Sequence, residues 1–73
     1  MGKLPHLSSK KVLQKLKAAG FIETHQRGSH LYLKNAEKIV TLPVHGTKDI
    51  PAGTLYNIIV RQAGMTIDDF LEL

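Results

Sequence analysis

Histidine is the side chain best suited to move protons near neutral pH, and this 73-residue chain has four: His6, His25, His30 and His45. His30 stands in the stretch QRGSHLYL (26 to 33), directly behind Gly28 and Ser29. If residues 29 to 34 are extended, successive side chains point to opposite faces. Leu31 and Leu33 then face a core, while His30, Tyr32 and Lys34 share the other face. An imidazole on that face can donate or accept a proton without any metal. Gly28 lets the backbone come close to a ligand, and Arg27, Lys34 and Lys48 can neutralise phosphate. The plain alternative for His30 is a surface histidine at a strand end. Tyr32 is either a stacking platform for a base or a half-buried sheet residue. His45, in PVHG, has the same ambiguity as His30, and it could also hydrogen-bond the turn that follows.

Other chemistries fit poorly. There is no cysteine, so neither a disulfide framework nor a thiolate zinc site can hold the fold. The histidines lack the i, i+4 helical pairing of zinc hydrolases and any compact ligand set, so neither metal nor cofactor is expected. Ser29 and His30 are neighbours on a strand and point to opposite faces, which keeps them from acting as a nucleophile–base pair. No G-x-S-x-G turn accompanies them.

Charge narrows the partners. Lys and Arg number 10 against 6 Asp and Glu, and the pI is near 9.6. All 10 basic groups lie in residues 1 to 63 against 3 acidic ones, an excess of +7; Asp68, Asp69 and Glu72 sit in the acidic tail. A domain so biased attracts polyanions. The other reading is a solubilising surface. No run is apolar enough for a membrane span or a signal peptide's core, so the expected location is the cytoplasm.

The elements that must position these groups are legible in outline. Ser8 or Ser9 caps a helix over about 8 to 19, with Val12, Leu13, Leu16 and Ala19 as its apolar stripe and Gly20 as its left-handed stop. Its lysines, Lys10 and Lys11 among them, form either a solvated face or a surface for a nucleic-acid backbone. Three extended stretches follow, at 21 to 25, 29 to 34 and 38 to 44, with short connections that suit an antiparallel meander. Pro51 opens a second helix with Leu55, Ile58, Ile59 and Ala63 on one side, and Gly64 ends it. Thr66 caps a short last helix pinned by Ile67, Phe70 and Leu71. The order implies one α+β domain over 1 to 73: a three-stranded antiparallel sheet with both helices on one face, and a short C-terminal helix.

The stretches LSSKKVLQKLKAAGFIE, QRGSHLYL, VTLPVHG, PAGTLYNIIVRQAGMT and DDFLEL together resemble the HicA toxin family of toxin–antitoxin modules, in order and with family-like spacing. The resemblance implies a fold similar to double-stranded RNA-binding domains, in α-β-β-β-α order. It implies an mRNA interferase silenced by a HicB-like antitoxin, with the family's active histidine falling on His30 and its glycine and serine on Gly28 and Ser29. The motif fixes no second acid–base residue.

The expectation is therefore a small endoribonuclease toxin that uses His30, with Lys10, Lys11, Arg27, Gly28, Ser29, Tyr32, Lys34 and Lys48 holding mRNA. RNA carries its own nucleophile, the 2′-OH, so the protein need only move protons and offset charge on phosphorus. A double-stranded RNA-binding module that cleaves nothing is the alternative; a structural subunit steered to an acidic partner by charge is the third reading.

Overall fold

The first helix starts where an extended chain meets a side chain able to satisfy its orphan donors. Ser8 is extended (φ −76°, ψ 161°), and its hydroxyl accepts a hydrogen bond from the Lys11 N–H at 3.3 Å. From there α1 (Ser9–Ala18) runs to Ala19, and Gly20 at φ +98° turns the chain out of it. The structure, a computed structural model, describes residues 4–44 and 48–73.

Three strands follow in sequence order: β1 (Ile22–Arg27), β2 (His30–Asn35) and β3 (Lys38–Pro43), antiparallel throughout. The first begins one residue later than the apolar pattern suggests and ends two later, because Gln26 and Arg27 join the ladder opposite Leu31 and His30. Only Gly28 and Ser29 remain for the turn. Gly28 at φ +57° is the positive first central residue that a type II′ hairpin turn takes. The second turn also has two residues, with Ala36 at φ +56°. Beyond β3, the Val44 N–H donates to the Ser29 carbonyl at 2.7 Å and extends the ladder to the turn.

The second helix departs from a plain α-helix. Pro51 precedes α2 (Ala52–Tyr56), which continues as a π-helical segment (Asn57–Gln62) closed by an Ala63 N–H to Ile58 carbonyl bond of 2.8 Å. Three β-branched residues in a row, Ile58, Ile59 and Val60, lie in this wider segment, and Ile58 and Ile59 are buried. At its end the Gln62 side-chain oxygen accepts the backbone N–H of Thr41 at 2.8 Å. That bond covers an outward donor on β3, an edge strand. α3 (Ile67–Leu71) is capped by the Thr66 hydroxyl, which accepts from the Asp69 N–H at 3.1 Å. Lys15 ties α3 back to α1, donating to the carbonyls of Leu71 at 3.1 Å and Leu73 at 2.9 Å.

One buried cluster joins these parts. Leu31 and Leu33 of β2 and Val40 and Leu42 of β3 meet Val12 and Leu16 of α1, Leu55, Ile58 and Ile59 of the second helical segment, and Phe70 of α3. The helical layer therefore covers one side of the sheet, as the α-β-β-β-α order implies, and the other side stays open.

The turns and the sheet edge can each be tested by substitution. Gly20 and Gly28 are both left-handed, but a Cβ at Gly28 meets nothing, whereas one at Gly20 lies 3.2 Å from the Asn35 amide nitrogen, which donates to the Ala19 carbonyl. Gly28→Ala should cost about 1–2 kcal/mol for the left-handed backbone alone. Gly20→Ala should cost about 1 kcal/mol more through that hydrogen bond, and equal urea midpoints for the two would show that the bond contributes nothing. Gln62→Leu leaves the Thr41 N–H without its acceptor, so a loss of about 1–3 kcal/mol is expected, with faster hydrogen exchange at Thr41.

Candidate nucleic-acid interface on the open sheet face

The strand register assigns each residue to a face. Arg27 pairs with His30 and His30 with Pro43; His25 pairs with Tyr32 and Tyr32 with Thr41; Ile22 pairs with Lys34 and Lys34 with Ile39. These three rows alternate with Glu23–Leu33–Val40 and Gln26–Leu31–Leu42, whose β2 and β3 members are buried. Glu23 makes an ion pair with Lys17 of α1, which marks its row as the one facing the helices. Arg27, His30, Tyr32 and Lys34 consequently share the open face, the last three as the alternation over 29 to 34 suggests and Arg27 through its pairing with His30. None of the nine positions in the open rows is acidic. The face is basic and part aromatic.

His25 reaches this face through an irregularity. Between Glu23 and His25 the register shifts, so that Thr24 is the extra residue of a β-bulge. The His25 ring stacks on the Tyr32 ring, centroids 4.4 Å apart and planes within 5° of parallel. The Thr24 hydroxyl donates to the Tyr32 carbonyl at 3.2 Å and stands 3.1 Å from His25 Nδ1. Plain alternation from Phe21 would turn His25 toward the core side, so its place beside Tyr32 has no signal in the sequence.

On the other flank His30 borders a groove of about 370 Å³. Thr41 and Pro43 of β3 line it with Pro51, Thr54 and Gln62 of the second helical segment. A volume of that order suits a small ligand group such as one nucleotide. Its helical wall was not legible in the sequence because Pro51 and Gln62 are far from His30 along the chain.

The remaining residues expected to hold RNA fall elsewhere. Gly28 and Ser29 form the turn immediately before His30, where Gln26 also donates to the Gly28 carbonyl at 3.0 Å. Lys10 and Lys11 are exposed on α1. Since α1 packs on the covered side of the sheet, they lie on the opposite flank of the domain from the His30 row. Lys48 is exposed beside Asp49, which bridges to Ser8. His6 is exposed and lies 3.7 Å from Asp49. His45 lies outside the described residues. Among the described residues no three His, Asp or Glu side chains gather as a metal would need, and no helix is long and apolar enough to cross a membrane.

Comparison with known families identifies the family of the chain. The model of the family described as HicA toxin of bacterial toxin–antitoxin matches residues 9–65, from the start of α1 to just past the second helical segment. No curated protein matches the chain significantly. The matched span contains the hairpin turn, the open face and the groove wall, and covers most of the sequence. The chain belongs to the HicA toxin family and is the toxin of a toxin–antitoxin pair.

Proposed function

We propose that this toxin is an endoribonuclease that cleaves mRNA, with His30 moving a proton at the scissile phosphate. The observation that carries the reading is the exposed His30 on an open face whose nine paired positions hold no acidic residue, directly opposite Arg27 and beside a nucleotide-sized groove. RNA supplies the attacking 2′-oxygen itself. The protein's tasks are to bind the backbone, transfer protons and stabilise charge on phosphorus. Arg27 and Lys34 meet the phosphates, and Tyr32 with its stacked neighbour offers a flat surface for a base. Gly28 and Ser29 form the turn that sets His30 in place. The antitoxin partner, in this reading a HicB-like protein, silences the toxin by covering the basic face.

His30→Ala should abolish cleavage and toxicity while changing stability by less than about 0.5 kcal/mol, because the side chain is exposed and makes no core contact. The assay uses an all-RNA oligomer in EDTA, and the expected ends are a 2′,3′-cyclic phosphate and a 5′-hydroxyl. A 2′-deoxy substitution at the cleaved nucleotide should block the reaction. Ends of 5′-phosphate and 3′-hydroxyl would overturn the mechanism, and RNA binding without cleavage would favour the non-catalytic reading.

The salt dependence of binding distinguishes the two basic surfaces. For a short single strand, Arg27→Glu or Lys34→Glu should flatten the log–log salt slope by about 0.7 for each phosphate that is no longer neutralised. The same reversal at Lys10, Lys11 or Lys48 should do so only for a long folded RNA that reaches round to the helical flank. Slopes for the short strand that respond only to Lys10 and Lys11 would move the interface to α1.

A further inference from the structure

We propose that His25 is the general base of this cleavage, acting opposite His30 as the general acid, with Thr24 as the residue that sets the tautomer of His25. The inference rests on the ribonuclease reading above and assigns the proton acceptor that this reading leaves open.

Three observations carry it. The first is a proton count at the bulge. A threonine hydroxyl has one hydrogen, and that of Thr24 is donated to the Tyr32 carbonyl. In its 3.1 Å contact with His25 Nδ1 the same oxygen must therefore accept, so Nδ1 carries the ring hydrogen. In the neutral imidazole Nε2 is then bare, and a bare ring nitrogen is what a general base presents. The bulge makes this possible, since adjacent residues of a regular strand point to opposite faces and could not bond in this way.

The second is placement. His25 lies opposite Tyr32, two residues from His30 on the same face, which makes His25 and His30 a diagonal cross-strand pair. Such pairs stand about 7–8 Å apart. Both side chains rise from the same face, so a phosphodiester bound between them can approach both rings, as proton transfer requires. The third is rigidity. The parallel stack on Tyr32 together with the Thr24 bond fixes the ring of an otherwise exposed histidine. β1 is an edge strand, so among the described residues the titratable and charged groups around His25 on this face come from β1 and β2: Arg27, His30, Tyr32 and Lys34.

The step balances without any further reactant. His25 Nε2 takes the 2′-OH proton, the 2′-oxygen bonds to phosphorus, and the bond from phosphorus to the 5′-oxygen breaks. The leaving oxygen takes a proton from His30. A 2′,3′-cyclic phosphate and a 5′-hydroxyl result, and exchange with water returns each histidine to its starting state.

The test compares wild type, His25→Gln, His25→Phe, Thr24→Val and His30→Gln on one RNA oligomer. His25→Gln should lower kcat by at least about 10²-fold with KM little changed. It should also remove the fall in rate at low pH, while His30→Gln removes the fall at high pH. An oligomer with sulfur in place of the scissile 5′-oxygen has a leaving group that needs no proton, so it should restore His30→Gln but not His25→Gln. Thr24→Val should lower kcat several-fold, and long-range proton–nitrogen NMR should show the Nδ1-protonated ring of His25 in wild type only. If wild type leaves no cyclic phosphate, the ribonuclease reading fails and the role of His25 with it. If wild type cleaves but His25→Gln keeps its rate and pH profile, the base assignment alone is overturned. Restoration by His25→Phe, which keeps the stack, or a Nε2-protonated ring in the spectrum, would overturn it equally.

Discussion

The two-residue turn at Gly28 and Ser29 fixes the register on which the rest of the domain depends. With Arg27 paired to His30, Gln26 and His25 meet Leu31 and Tyr32 in step as far as the bulge at Thr24, and a slip of one residue would exchange the two faces. Leu31 and Leu33 would then meet water and His30 the core. The glycine's positive φ at the first turn position makes the tight connection possible, and the bond from the Val44 N–H to the Ser29 carbonyl holds the far side of the turn against β3. The residues next to the proposed chemistry are thus also those that align the sheet. Position and stability are set together.

The helices matter to the site chiefly by what they leave uncovered. α1 and the second helical segment contribute Val12, Leu16, Leu55, Ile58 and Ile59 to one buried cluster on one side of the sheet. In a domain of 73 residues this thin core cannot cover both faces. The open face keeps Ile22 and Ile39 largely exposed on either side of Lys34. The second helical segment adds the groove wall. Its π-helical end aims Gln62 at the β3 edge, so one side chain both closes an edge donor and lines the space beside His30.

The bulge at Thr24 shows how a local irregularity changes what a face contains. Without it, β1 would alternate from Ile22 to place His25 among the covered residues. With it, Ile22, His25 and Arg27 all fall in the open rows, and a second imidazole joins His30. The shift also sets the Thr24 hydroxyl between the Tyr32 carbonyl and a histidine ring, where its single hydrogen orders both. One extra residue in an edge strand thus brings a second imidazole to the open face.

Local chemistry along the chain was enough to set the α-β-β-β-α order, the caps at Ser8 and Thr66, the left-handed stops at Gly20 and Gly64, and the face shared by His30, Tyr32 and Lys34. Each is legible in the sequence as a hydroxyl near free N–H groups, a glycine where φ is positive, or a period of two along a strand. Packing settled that Lys10 and Lys11 lie on the flank away from His30, because a helix's periodicity does not say which side of a sheet it covers. Packing also brought Pro51, Thr54 and Gln62 to the edge of His30, since contacts between residues distant along the chain leave no spacing to read. The place of His25 belongs with these. A bulge breaks the alternation by which strand faces are read, and what stabilises it, the bonds of Thr24 to a neighbouring strand and ring, forms only when the sheet does.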